Sequence, residues 1–348
     1  MSLSKKIRVA VIGAGAFGKN HARVYSELHR ETQAGTLPHG APGIELAGII
    51  DTDSARAAQI AAEHQTRSYG SIRELLAHGG VDAVSIAVPT KFHRGVAREA
   101  LEAGFDVLIE KPLAATLEEA DELIDLAAEH GRVAQVGHLE RFNPAVRATI
   151  PLITKPMFFE VHRLSLFGPR ALDVDVVLDL MIHDIDIILS FVPGEVAEIR
   201  AVGLPILSQK VDIASVRLQF ANGCIANLTA SRVSTERVRK LRFFQPNQYV
   251  SIDYARQDVL VFTVNKIAGS ALAEGGLPQM PDVMPSKPPV IPEEPLRTEI
   301  LSFLHAVNTR ETPVVSLEDG RRALDVALEI QKAIEEHAER AHLDALTK

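Results

Sequence analysis

Two stretches of the chain hold residue types that can move protons and stabilise charge. The first is Glu110-Lys111-Pro112, which closes the apolar run Val107-Leu108-Ile109. Such a run reads as a buried parallel strand, and the carboxyl end of such a strand is where an open α/β sheet presents its ligand. A lysine there is either a solvated strand end or a cation aimed at a developing alkoxide. The second is Asp179-Leu180-Met181-Ile182-His183, within Asp173 to Leu189. On a helix, Asp179 and His183 fall at i and i+4 on one face. That spacing suits a solvated helix face, a divalent-ion site or an acid–base pair. In the last case the carboxylate fixes the tautomer of an imidazole, whose reference pKa of about 6.5 suits proton transfer at neutral pH.

What decides among these is the company the residues keep. Ile7 to Ile12 has a strand pattern and feeds Gly13-Ala14-Gly15-Ala16-Phe17-Gly18, a G-x-G-x-x-G turn that opens a helix. The first glycine permits the tight turn, the second lets backbone approach a pyrophosphate, and the third lets helix and strand pack closely. The phosphates then sit on a helix N-terminus, against Gly13, Gly15, Ala16, Phe17 and Gly18. The next strand, Ile44 to Ile50, ends in Asp51, later than the usual offset of about 20 residues. The excess falls in Arg30 to Gly43, which reads as an inserted surface loop. Asp51 can accept both ribose hydroxyls and repel a 2′-phosphate, which favours NAD over NADP. Alternatively it caps the helical run Ala55 to His64, together with Asp53 and Ser54.

The alternation continues with helix Ile72 to Ala77, strand Ala83 to Val88, helix Phe92 to Ala103, strand Phe105 to Ile109, helix Leu117 to His130 and strand Val133 to Val136. Apolar strands regularly separated by helices predict an α/β fold with a doubly wound parallel sheet over residues 1–137. Pro89 and Thr90 lie where a nicotinamide ribose is expected, and His93 either caps that pocket or is structural.

After Gly137 the composition shifts, and Glu140 to Pro144 opens a helix. Strand-like runs then predominate: Met157 to Leu164, Val196 to Val202, Ile213 to Phe220, Cys224 to Ser231, Lys240 to Phe244, Tyr249 to Tyr254 and Val259 to Val264. Ala221-Asn222-Gly223 supplies a hairpin turn. Residues 138–348 thus read as an α+β domain on a large, mainly antiparallel sheet, with one buried and one polar face. Ala268 to Pro295 reads as a long irregular excursion. Helices Leu296 to Asn308 and Leu317 to about Ala341 close the chain.

At 348 residues, 46% of them apolar, the chain is long enough for two domains, and no run approaches the roughly 18 apolar residues a membrane helix needs. A net charge of −8 gives no footprint for nucleic acid. Lys5 and Lys6 precede too short an apolar run for a secretory signal, so a cytoplasmic location is expected. The single cysteine, Cys224, excludes an internal disulfide and reads as a small core hydrophobe rather than a nucleophile.

Taken together, the fingerprint, Val88-Pro89-Thr90 with His93, Glu110-Lys111-Pro112 and Asp179-x-x-x-His183 resemble the glucose-fructose oxidoreductase and inositol dehydrogenase family, Gfo/Idh/MocA. The resemblance spans nearly the whole chain, including Asp319-Gly320-Arg321-Arg322-Ala323-Leu324. It implies a Rossmann domain holding NAD, with Glu110 and Lys111 beside the cofactor. It further implies catalysis by Lys111, with His183 as base, Asp179 as its helper and no metal, and a homodimer or homotetramer formed through the C-terminal sheet. Gly137 to Pro144 is similar to the branch acting on nucleotide-linked amino sugars such as UDP-N-acetylglucosamine. A diphosphate would require cations in the second domain, for which the sequence offers Arg141 with Asn143, and Arg163 and Arg170. Oxidation of a free sugar or polyol, and a cofactor-sensing regulator without chemistry, are the alternatives. One departure is that Ala171 to Val176 leads into the Asp-His helix where relatives have glycines, which bears on the substrate.

Overall fold

Alternating buried strands and amphipathic helices build the first half of the chain. In the computed structural model, which describes residues 6–168, 174–265 and 282–342, β1 (Ile7–Ile12) leads through the glycine turn into α1 (Ala16–Ala34). β2 (Ile44–Ile50), α2 (Ser54–Glu63), β3 (Arg67–Tyr69), α3 (Ile72–Ala77) and β4 (Ala83–Ile86) follow. Then come α4 (His93–Glu102), β5 (Asp106–Glu110), α5 (Leu117–Glu129) and β6 (Ala134–Gly137). The six strands are parallel in the order β3-β2-β1-β4-β5-β6. The order reverses between β1 and β4, so a crevice opens outside their carboxyl ends. The expected loop at Arg30–Gly43 is helical over its first residues: α1 persists to Ala34 and stops at Gly35 in the left-handed conformation, φ 68°. Thr32 ties this extension down, donating to Leu28 O and accepting from the Ile44 amide.

The second half starts as a short 3₁₀ turn, Leu139–Phe142, and then α6 (Pro144–Thr149), with Asn143 as N-cap and Pro144 in the first turn. After β7 (Phe158–Leu166), a π-helical turn over Val177–Met181 runs into α7 (Ile182–Phe191). The rest of the sheet is β8 (Val196–Leu204), β9 (Ile213–Phe220), β10 (Ile225–Ser234), β11 (Val238–Gln245), β12 (Gln248–Asp253), β13 (Asp258–Asn265) and β14 (Asp282–Ser286). Their order is β14-β13-β12-β11-β7-β10-β9-β8, with β7 and β10 parallel and every other neighbouring pair antiparallel. One face buries Phe159, Val161, Leu218, Leu228, Leu241 and Phe243, and Phe191 of α7 meets Phe243 edge-on. β14 corrects the expectation of an irregular Ala268–Pro295. Its Pro285 is tolerated because the strand is at the sheet edge, opposite Phe262.

Two further helices follow, α8 (Pro295–Thr309) and α9 (Leu317–Arg340). Composition suggested a boundary at Gly137 with everything beyond it in the second domain. The chain divides instead into Met1–Phe142 with Glu294–Asp325, and Asn143–Glu293 with Val326–Lys348. The reason is the apolar face of α8: Ile300, Phe303 and Leu304 are buried in one core with Val9, Tyr25, Leu28 and Ile49. Burying each such side chain contributes about 1.5–3 kcal/mol, enough to hold the segment in the first unit. Among the described residues, no helix is long and apolar enough to cross a membrane.

Candidate active site

The glycine turn after β1 is shaped by close approach. Gly13 has φ +97°, and a Cβ there would come within 2.5 Å of Ala87 O; a Cβ on Gly18 would lie 1.6 Å from Gly13 O. Around Gly15, by contrast, nothing lies within 4 Å. Two glycines are thus packed shut and the middle one is open, as a diphosphate approaching the backbone requires. No side chain caps α1 at Gly15, so its first amides, in the turn holding Ala16, Phe17 and Gly18, are left for an anion. The turn borders a cleft of about 620 Å³ that also takes in Asp51, Arg56, Ser71, Ile72, Pro89 and Val96. These residues fit a dinucleotide: open backbone for the phosphates, an acid for the ribose and apolar walls for the base.

Asp51 ends β2 with its side chain only 6% exposed. Oδ2 accepts from the Ala14 amide at 2.6 Å and from Arg56 Nε at 3.2 Å. Oδ1 accepts from the Asp53 amide at 2.8 Å and from Arg56 Nη2 at 2.7 Å. Burial pushes the carboxyl up, but the hydrogen bonds from Arg56, Asp53 and Ala14 outweigh it and hold the group below the ordinary range. The helix-capping role belongs to Asp53, whose Oδ1 accepts from the Arg56 amide at 3.0 Å.

Lys111 stands at the carboxyl end of β5, half-buried, and precedes a cis Pro112. Glu110, beside it, is buried and its Oε1 lies 2.9 Å from His21 Nε2. Burial raises this carboxyl, but the hydrogen bond and charge of His21 reverse the shift and lower it. Glu299 of α8 is fully buried next to the pair and is pushed well above the ordinary carboxylic range by burial and by the charge of Glu110. His21, Glu110 and Glu299 bring donor atoms within 4.8 Å of one another, the one such His and carboxylate grouping among the described residues. Sequence reasoning missed His21 and Glu299, which lie in α1 and α8.

His93 is buried rather than lining the cleft. Its Nδ1 is 2.8 Å from Pro112 O and its Nε2 is 2.9 Å from Val88 O. The ring therefore ties the segment after β4 to the one after β5. Thr90 begins the short 3₁₀ turn Thr90–Phe92 between them.

In the second unit, Asp179 lies in the π turn and His183 in the first turn of α7, both half-buried. The α-helical stacking assumed from i, i+4 spacing is thereby modified, because an i→i+5 turn is wider than a standard helical one. Such turns recur at functional sites. Asp175 anchors the turn by accepting from the Val177 and Leu178 amides at 2.8 and 3.1 Å.

The residues expected to contact a diphosphate have these surroundings. Arg163 is an interior residue: Nε and Nη2 donate to Asp184 Oδ2 and Oδ1 at 2.6 and 2.9 Å, and its guanidinium lies over the Tyr254 ring. Asn143 is buried, its Oδ1 accepting from the Ala145 amide and its Nδ2 donating to Tyr254 O. Arg141 belongs to the first unit, 3.8 Å from Asp319. Arg170 lies outside the described residues. Cys224 is buried, its thiol pushed up to about 11 by desolvation, so it is an inert core residue as expected.

A doubly wound sheet with this glycine turn and an acid ending β2 defines a dinucleotide-binding protein. Comparison with known proteins narrows the class. Residues 7–138 match the GFO/IDH/MocA oxidoreductase family, with its NAD-binding Rossmann fold, and residues 160–245 match the GFO/IDH/MocA C-terminal domain. The chain is 36% identical to a UDP-N-acetylglucosamine 3-dehydrogenase of Acidithiobacillus ferrooxidans over 96% of its own length and 99% of that protein's. A solved structure of that enzyme superposes with a TM-score of 0.84, covering 95% of this chain and 98% of that one. A scyllo-inositol 2-dehydrogenase of Bacillus subtilis is 29% identical over 67% of this chain and 69% of its own. The chain belongs to the GFO/IDH/MocA family of NAD-binding oxidoreductases.

Proposed function

We propose that this oxidoreductase oxidises a ring hydroxyl of a nucleotide-linked amino sugar, with UDP-N-acetylglucosamine as substrate. The observation that carries the reading is the likeness, at 36% identity and almost end to end, to a UDP-N-acetylglucosamine 3-dehydrogenase. Residues 1–137 and the helices that pack with them serve the cofactor, and the α+β unit serves the sugar. NAD, held by the Gly13–Gly18 turn and Asp51, supplies the hydride acceptor when bound. His183 takes the hydroxyl proton as the C–H bond is broken and the carbonyl forms, and Asp179 supports the imidazole in that role. Lys111 supplies the positive charge that stabilises developing alkoxide character. Glu110, buried and paired with His21, holds the strand end that carries Lys111.

The open face of the sheet supports self-association. Phe158, Phe244, Tyr249 and Phe262 form an aromatic ladder across β7, β11, β12 and β13, with successive ring centroids 5.7, 5.0 and 5.7 Å apart. We assign that face to a homodimer or homotetramer seam, checked by sedimentation of Phe244→Glu, which should dissociate the assembly. The lone buried cysteine suits a cytoplasmic enzyme.

Substrate class is tested by thermal shift with NAD present, because a specific ligand stabilises the folded state by mass action. UDP-N-acetylglucosamine should raise the midpoint, while N-acetylglucosamine and inositol should not. Stabilisation by inositol alone would overturn the substrate.

A further inference from the structure

Two acids of the first unit share one buried site, and which of them keeps its charge bears on Lys111. His21, Glu110 and Glu299 come from α1, β5 and α8 with donor atoms within 4.8 Å of one another, all three buried and His21 and Glu299 fully so. Two carboxylates so close and so dry do not both ionise. Hydrogen bonding decides between them, because bonds donated to a carboxylate favour its charged form. Glu110 Oε2 accepts from the Lys111 amide at 3.3 Å, and Oε1 faces His21 Nε2 at 2.9 Å. Neither oxygen of Glu299 has a hydrogen-bond partner among the described residues. The charges of His21 and Lys111 also favour the anion at Glu110, whereas the charge felt by Glu299 is the negative one of Glu110. The other groups facing the site bring Glu299 no cation. Tyr25 Oη lies 2.8 Å from Ser85 Oγ, burial lowers the imidazole of His93, and the neutral Gln135 of β6 donates to Glu299 O at 3.4 Å.

We propose that Glu299 is a positioning residue: a buried neutral acid whose proton faces Glu110 and keeps that carboxylate an anion, so that it goes on accepting from the Lys111 amide. An ionised Glu299 would set a second negative charge against Glu110. Glu110 would then take up a proton, and a protonated oxygen is a donor that no longer matches a backbone N–H. The strand end that carries Lys111 would lose that tether. Packing leaves the carboxylate little room to compensate, since a Cβ on Gly137 of β6 would lie only 3.1 Å from the Glu110 carboxyl carbon. The protonation of Glu299 is independent of the substrate, whereas its consequence for turnover rests on Lys111 acting in the oxidation proposed for this protein.

The test compares the unmodified chain with Glu299→Gln, which cannot ionise. Carbon-13 NMR of glutamate-labelled protein at neutral pH should show a protonated carboxyl in the unmodified chain that is missing from the variant. Urea unfolding at a series of pH values gives a second reading. In the unfolded chain Glu299 releases its proton near the ordinary glutamate value of about 4.3, and in the folded chain it keeps it. Between that value and the raised folded one the folded state holds one proton more, so rising pH should destabilise the unmodified chain relative to Glu299→Gln, by about tenfold in the unfolding constant per pH unit. Turnover should begin to fall at a lower pH in the unmodified chain than in the variant. A spectrum of the unmodified chain without a protonated carboxyl would overturn the proposal even if Glu299→Gln fails to fold, and so would a stability difference that does not change with pH. Superimposable alkaline limbs of turnover would overturn the positioning role. The NMR and urea readings need neither cofactor nor sugar, so they decide on Glu299 even if the unmodified chain oxidises no sugar nucleotide, the result that would sink the proposed substrate instead.

Discussion

Two carboxylate–arginine pairs in this molecule are alike in geometry and opposite in consequence. Asp51 and Arg56 meet at 2.7 Å, as part of a two-bond pairing, with the arginine side chain 43% exposed. Arg163 and Asp184 also pair through two bonds, the shorter at 2.6 Å, but their side chains are only 3% and 2% exposed. The first pair borders the cleft, where water competes for the same donors and acceptors. The second is locked in the interior, where losing one partner strands a charge. Exposure, rather than the identity of the residues, separates a ligand-facing pair from a fold-holding one.

The largest effect should come from breaking the interior pair. Arg163→Met should destabilise the protein by about 3–5 kcal/mol, as expected for an uncompensated buried charge, and Arg163→Met with Asp184→Leu should recover most of it. Urea denaturation of both variants measures this, and equal loss in the double variant would mean the pair is not coupled as described. Next in size, Lys111→Ala should lower turnover by about a hundredfold, the scale of removing a preorganised charge-stabilising donor, with NAD affinity nearly intact. Turnover at the unmodified rate would make Lys111 a mere strand-end charge.

The exposed pair should respond in selectivity instead of stability. Asp51→Ala should narrow the gap between NAD and NADP by about tenfold, one hydrogen-bonded charge's weight, read by titration calorimetry with each dinucleotide. An unchanged ratio would remove Asp51 from the ribose site. Smallest is Asp53→Ala, which removes the cap of α2 and should cost about 1 kcal/mol, seen as a lowered melting temperature with cofactor preference retained.

Much of this was legible because local chemistry dictated it. The G-x-G-x-x-G turn needs glycine for steric reasons that hold whatever else the chain does, and the strand Ile44–Ile50 ends at Asp51 as expected. β3 escaped because it is three residues long, with only Tyr69 buried. The π turn and the His21–Glu110–Glu299 grouping have no local sequence signature, the latter because its members come from α1, β5 and α8. Nothing in the local sequence sets Arg56 apart from other helix-surface arginines, and its pairing with Asp51 shows only in the structure. The burial of two further residues did leave a signal. Arg163 shares the period-two face of Phe159 and Val161, both buried, so a strand-face reading would have put it inside. Asn143 directly precedes Pro144 at a helix start, the signature of an N-cap.

The central claim is that His183 drives NAD-dependent oxidation of a nucleotide-linked amino sugar, and NADH absorbance tests it most directly. With NAD present, the unmodified chain should produce NADH from UDP-N-acetylglucosamine and not from inositol or N-acetylglucosamine, and His183→Ala should reduce the rate by about a hundredfold or more, as removal of a general base does. NADH formed from inositol or the free sugar and from no sugar nucleotide, or undiminished activity in His183→Ala, would contradict it.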